Sequence, residues 1–180
     1  MDRRAFLLAA LGASVAKEAS AARMYIGTAA YVPGWESRYF RPHELASHGN
    51  HRVRVTVDLV TALDRVRHDY GLPIRILSGY RDPDWNARIG GARRSRHLIC
   101  DAVDIDIAPY SVQARYALMT QLISNGFTSF GSYRNKPNLL HTDRRAWAAV
   151  WHYGGGSRPR WLNQALNEWK WHPGTGSPYR

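Results

Sequence analysis

The chain has 180 residues, 44% of them hydrophobic, and Lys plus Arg outnumber Asp plus Glu by 25 to 14, for a formal net charge of +11. That size and apolar content give one compact domain with a real core; they exclude an intrinsically disordered chain and leave little room for a second domain. The basic balance suits an anionic partner, whether nucleic acid, a membrane surface or an acidic polymer, and charge alone does not choose among them. A single cysteine, Cys100, excludes an intrachain disulfide and any four-cysteine zinc cluster, so a metal here must be held by His and carboxylate.

Taken in chain order, the first segment reads as an export signal. Arg3 and Arg4 precede a short apolar run from Ala5 to Ala13, and Ala19-Ser20-Ala21 offers a small-residue cleavage site. The run is too short to span a bilayer, so residues 1–21 are expected to be removed on export, with the mature chain starting near Ala22. Arg-Arg-Ala-Phe-Leu also resembles the twin-arginine signal, and an ordinary secretory signal with two charged residues is the other reading. No later segment is apolar enough for a stable membrane span.

Residues 23–53 are rich in Gly, Pro, His and aromatics and show little periodicity, although Pro42 suits the first turn of a short helix. Residues 55–70 predict the clearest helix, with Leu59, Val60, Leu63, Val66 and Tyr70 on one face and Gly71-Leu72-Pro73 as its stop. Ile74 to Leu77 alternates toward a strand, residues 82–96 read as a polar loop, and Ala102 to Ile107 alternates strictly as a second strand. Ala114, Leu118, Met119, Leu122 and Ile123 suit an amphipathic helix ended by Asn125-Gly126. Phe127 to Tyr133 and Asn138 to Thr142 predict two more strands. Strands and helices without regular βαβ alternation point to an α+β fold, a small, mainly antiparallel sheet flanked by helices. The tail from residue 146 onward carries five of the seven tryptophans and is expected to pack its rings back onto the domain, a surface for glycan or wall peptide being the alternative.

The residues that suggest chemistry are His97, Asp104 and His141. A catalytic zinc site takes about three protein ligands from imidazole and carboxylate and keeps one position open. Asp104 and Asp106 share a face of an otherwise apolar strand, and an acidic pair is expensive to bury unless something positive compensates. His141 ends an apolar strand, where a rigid scaffold can aim it.

Ser78-Gly79-Tyr80-Arg81, Asn86, Ile89-Gly90-Gly91-Ala92, Ser95-x-His97, Asp104 after six residues and His141-x-Asp143 resemble the zinc D-alanyl-D-alanine carboxypeptidase and murein endopeptidase family, which shares its fold with the Hedgehog signalling domain. The resemblance spans residues 39–151. It implies one Zn2+ held by His97, Asp104 and His141, with Arg81 facing the substrate carbonyl or carboxylate and Tyr80 and Ser95 supporting the site. It also implies hydrolysis of peptide bonds in peptidoglycan, in stem peptides or cross-links, by a zinc-activated water. On that basis 22–151 is the peptidase domain and 152–180 a Trp-rich basic extension. The chain is expected to act in the periplasm or cell envelope as a monomer, without nucleic acid as partner.

Two positions depart from the family pattern. Cys100 stands where a glycine is usual, as a buried small hydrophobe or an extra soft ligand. Asn138 stands where many members carry an acidic base, which leaves Asp143 and His152 as candidates for proton transfer, unless Asp143 orients a ligand instead. A zinc-containing wall-binding module without turnover is therefore the alternative function. A nucleic-acid reader motif and a G-x-S-x-G serine element are both absent.

Overall fold

The computed structural model describes residues 22–169; the expected export segment 1–21 and the end of the tail, with Trp171, lie outside the described residues. The elements run β1 (Met24–Thr28), α1 (Pro42–Leu45), β2 (Arg52–Thr56), α2 (Val57–Tyr70), β3 (Arg75–Ser78), α3 (Pro83–Arg88), β4 (Ala102–Asp106), α4 (Val112–Ser124), β5 (Ser129–Tyr133), β6 (Leu139–Asp143), β7 (Ala149–Tyr153) and α5 (Arg160–Glu168). They form a mixed α+β fold with a two-stranded sheet, β1-β2, and a five-stranded sheet in the order β3-β4-β6-β5-β7. Every pairing is antiparallel except β5 with β7, which is parallel.

Local sequence accounts for the element ends. Thr56 caps α2 by accepting the Leu59 N–H at 3.1 Å, and Gly71 closes it in the left-handed conformation at φ 75. Ser111 caps α4 in the same way, and Gly126 follows its last turn at φ 84. Along α2, Leu59, Val60, Leu63 and Val66 are buried as the helical period requires, while Tyr70 is half-buried at its end.

Four elements differ from the sequence expectation. Residues 24–28 form β1 in a stretch read as having little periodicity. Residues 52–56 form β2, so the helix expected from residue 55 begins at Val57, and Val53 and Val55 are buried between exposed Arg52 and Arg54. The polar stretch 82–96 opens with α3, where Asp82 accepts the Trp85 N–H and Pro83 occupies the first turn. In the tail, residues 149–153 form β7, so the boundary expected after residue 151 falls inside a strand. Beyond it α5 buries Trp161, Leu162, Ala165 and Leu166 in the same core as α4. Of the tail's described tryptophans only Trp161 packs its ring back in this way; Trp151 is half-buried, and Trp147 and Trp169 are exposed.

The five-stranded sheet has two unlike faces. Val103, Ile105, Phe130 and Leu140 point to one side and join Leu59, Leu63, Leu118 and Leu122 in the buried core. Residues of the other parity line up across the sheet in a single row. Ser78 pairs with Asp104, Asp104 with His141, His141 with Gly131, and Gly131 with Trp151. Cross-strand partners point to the same face, so this row sets its side chains side by side on one floor.

Candidate metal centre

Two of the three converging donors come from that row. Asp104 on β4 and His141 on β6 are direct cross-strand partners. The third, His97, arrives from the loop between α3 and β4, anchored at both backbone ends: its N–H donates to Ser95 Oγ at 3.3 Å and its carbonyl accepts the Arg81 N–H at 3.2 Å. His97 Nε2 lies 3.1 Å from His141 Nδ1 and 3.2 Å from Asp104 Oδ1, and His141 Nδ1 lies 2.9 Å from Asp104 Oδ1. All three side chains are buried.

The outer ring nitrogens fix which atoms face inward. His97 Nδ1 is 2.6 Å from the Gly79 carbonyl, an acceptor only, so Nδ1 carries the proton and Nε2 is bare. Gly79 reaches this position because it has no side chain: a Cβ there would come within 2.7 Å of the Leu45 backbone. His141 Nε2 is 3.1 Å from Asp143 Oδ2 and donates to it, which turns the bare Nδ1 inward. Two imidazole lone pairs and a carboxylate oxygen thus meet within one small triangle. Such a group repels itself unless a positive charge lies among its members. A proton on His141 can play that part, and a divalent cation meets all three donors at once.

The spacing tests the fit of a cation. Tetrahedral zinc with bonds of ~2.0–2.1 Å sets its ligand atoms ~3.3 Å apart. The observed separations of 2.9, 3.1 and 3.2 Å are close to that value, and the donor types suit a borderline-soft cation. These residues could hold one metal ion.

Electrostatics show how the donors share charge when no cation is bound. Burial pushes His97 below its ordinary value, which keeps the imidazole neutral. Burial would raise Asp104, but the two imidazoles outweigh it and hold the carboxyl well below the usual carboxylate range. For His141 burial is likewise outweighed, here by hydrogen bonds to Asp104 and Asp143, and its pKa is raised. Asp143 is fully buried and held well below the carboxylate range: burial is overcome by Arg145, whose Nε donates to Oδ1 at 2.8 Å and Nη2 to Oδ2, and by His141.

The remaining expected site residues separate. Arg81 lines the cleft, with Nε donating to Ser78 Oγ at 2.9 Å and Nη2 paired with Asp104 Oδ2, the oxygen that faces away from the imidazoles. Ser95 also lines the cleft. Tyr80 does not; it is half-buried against the core, its N–H bonded to the Leu45 carbonyl. Asp143 touches the opposite edge of the His141 ring from the donor triangle, and Arg145 occupies its oxygens, so it orients the imidazole and is badly placed to accept a substrate proton. His152 lies on the other parity of β7, 3.0 Å from Ser132 Oγ, and Asn138 is exposed on the β5–β6 turn; neither lines the cleft. The Cys100 thiol is buried and is not among the converging donors; burial pushes it up to about 11.

A family model described as Peptidase M15 matches residues 38–143, more than half of the chain and all three donors. The chain belongs to the Peptidase M15 family. M15 peptidases are zinc-dependent metallopeptidases, which accounts for the donor triangle as the place for one zinc ion. No curated protein matches the chain.

Around the triangle this M15 peptidase opens a cleft of about 1090 Å³. Pockets for small molecules run to ~1,000 Å³, so the cleft has room for an extended peptide. Its wall includes four residues that lie beyond the family match, Arg145, Trp151, Tyr153 and Gly154. Trp151 sits on β7 with its ring 5.1 Å from His141 and its indole laid across Gly131, where a Cβ would approach it to 2.6 Å. Nothing in the spacing of the ligand motifs points to Trp151. Its cue is the glycine at 131, a gap in a strand that another side chain fills.

Proposed function

We propose that this chain is an exported zinc peptidase that hydrolyses peptide bonds in peptidoglycan, as a murein endopeptidase or a D,D-carboxypeptidase. The observation that carries the reading is the meeting of two bare imidazole nitrogens and a carboxylate oxygen on the floor of a peptide-sized, basic cleft. Export is supported by the signal anatomy of residues 1–21, and the wall is an anionic polymer that suits a chain of formal net charge +11.

In this reading His97, Asp104 and His141 hold the metal. Zinc bound there supplies Lewis-acid polarisation of the scissile carbonyl and lowers the pKa of a water to ~7. The chain's own residues do the rest. Gly79 and Asp143 hold the two imidazoles in the ligating tautomers. Arg81, beside Asp104, presents a positive charge where the carbonyl oxygen gains negative charge, and losing a preorganised donor of this kind typically costs ~100-fold or more in rate. Trp151 and Tyr133 wall the cleft and exclude water from one side. Among the described residues that line the cleft, Asp104 is the only carboxylate. The water's proton is therefore assigned to the departing amine, whose basicity rises as the amide bond weakens.

The test is digestion of purified sacculi with the zinc-loaded protein, with mass spectrometry of the released muropeptides. Peptide release that stops with a chelator and with His97→Ala is the expected result. A loaded protein that cosediments with sacculi and releases nothing is instead a wall-binding module, which the uncharged Asn138 would suit.

A further inference from the structure

We propose that the cleft selects peptides that carry a free carboxylate near the bond to be cut, and that Arg134 and Lys136 receive that carboxylate. This deepens the peptidase reading and rests on it for the identity of the ligand as a peptide.

The cleft's charge is far more one-sided than the chain's. Its lining includes Arg81, Arg94, Arg96, Arg134, Lys136 and Arg145 against Asp104 alone. Three of these cations are already matched: Arg81 by Asp104, Arg96 by Asp101 and Arg145 by Asp143. Arg94, Arg134 and Lys136 have no ion-pair or side-chain hydrogen-bond partner among the described residues, and all three are exposed. Two of them, Arg134 and Lys136, stand together on the β5–β6 turn. A metal ion at the donor triangle adds to the positive potential that a ligand meets.

The turn is built to hold these two in place. The Arg134 N–H donates to the Tyr153 carbonyl at 2.9 Å, and the Leu139 N–H donates to the Lys136 carbonyl at 3.0 Å, so the backbone is tied down while both charged ends stay free. Gly154 packs so near that a Cβ there would stand 3.0 Å from the Arg134 Cβ. Beside them the Tyr133 and Tyr153 rings stack at 5.7 Å and 28°, an apolar wall that strengthens any charge pairing made against it. Two exposed cations two residues apart on one turn, at the lining of the same cleft, suit a carboxylate: the guanidinium offers a two-pronged match and the ammonium a compact charge. The carboxylate can be the peptide's own C-terminus or an acidic side chain.

Four forms of dye-labelled Ala-Glu-Ala-Ala separate these sources: both carboxylates free, the C-terminus amidated, the Glu replaced by Gln, and both changes together. Binding to the zinc-loaded protein is measured by fluorescence anisotropy. The free form should bind at least about tenfold tighter than the doubly neutral form, as a charge-assisted hydrogen bond predicts. In R134Q/K136Q that preference should fall to within about twofold, with zinc content and melting temperature unchanged. The single changes show which carboxylate is received. Equal binding of the free and doubly neutral peptides, no binding of any of them, or a preference that survives R134Q/K136Q overturns the proposal. Because binding is read without cleavage, a protein that leaves sacculi intact yet keeps the preference defeats the peptidase reading alone.

Discussion

The two faces of the five-stranded sheet are made by the same strands and obey opposite rules. On β6, Leu140 is buried among apolar neighbours, while the next residue, His141, faces a carboxylate and a second imidazole. The apolar face gains stability from burial and close packing. The polar face gathers like-natured donors that are at ease only around a cation, so it trades some stability of the empty protein for a ready site. One strand therefore carries fold and function on alternate residues, and substitutions one position apart should fail in different ways.

The largest expected contrast comes from that adjacent pair. His141→Ala should reduce zinc from one per chain to near none and abolish peptide release, read by metal analysis and by the sacculus digest. Leu140→Ala should instead lose ~2–5 kcal/mol of stability in denaturant unfolding and keep its zinc. If both variants lose metal alike, the separation of the two faces is wrong. Next in size is Asp143→Asn, which removes the charge that orients His141 and should weaken zinc binding ~10–100-fold in a competition with a chelating dye. Stripping the metal should lower the melting temperature of the wild type, and added zinc should restore it by mass action; His97→Ala should show neither response.

The smallest effect concerns Cys100, whose thiol is pushed up to about 11 by burial, with Asp101 adding to the rise and Arg54 opposing it. At pH 8 only about one thiol in a thousand is then ionised, so alkylation of the folded protein should be slow and should become fast in denaturant. The raised value also sets a sign for stability. The unfolded thiol loses its proton first, so Cys100 favours the fold below pH ~8.5, and that contribution disappears as pH rises through about 11. Cys100→Ala should flatten this alkaline slope. Fast alkylation at pH 8 without denaturant would show an open thiol near the site.

Much of this was legible in the residues themselves. The donors His97, Asp104 and His141 stand in motifs whose order and spacing carry information, and Asp104 betrays itself as a charge in an apolar alternation. The helices α2 and α4 announce their ends through Thr56, Gly71, Ser111 and Gly126. Other elements were readable but masked by neighbours. Arg52-Val53-Arg54-Val55 alternates as a strand should, yet runs straight into a helix whose period begins two residues later. Asp82-Pro83 is a helix start inside a stretch whose polarity suggests a loop. Strand β7 is harder. Its residues are only half-buried or exposed, and its partner β5 lies beyond an intervening strand in a parallel pairing that no local pattern encodes.

The position of β7 at one edge of the sheet also orders events during synthesis. The donor set is complete once residue 141 has been made, whereas Trp151, Tyr153 and Gly154 emerge later. The last of the donors therefore leaves the ribosome before any of the wall that Trp151, Tyr153 and Gly154 supply.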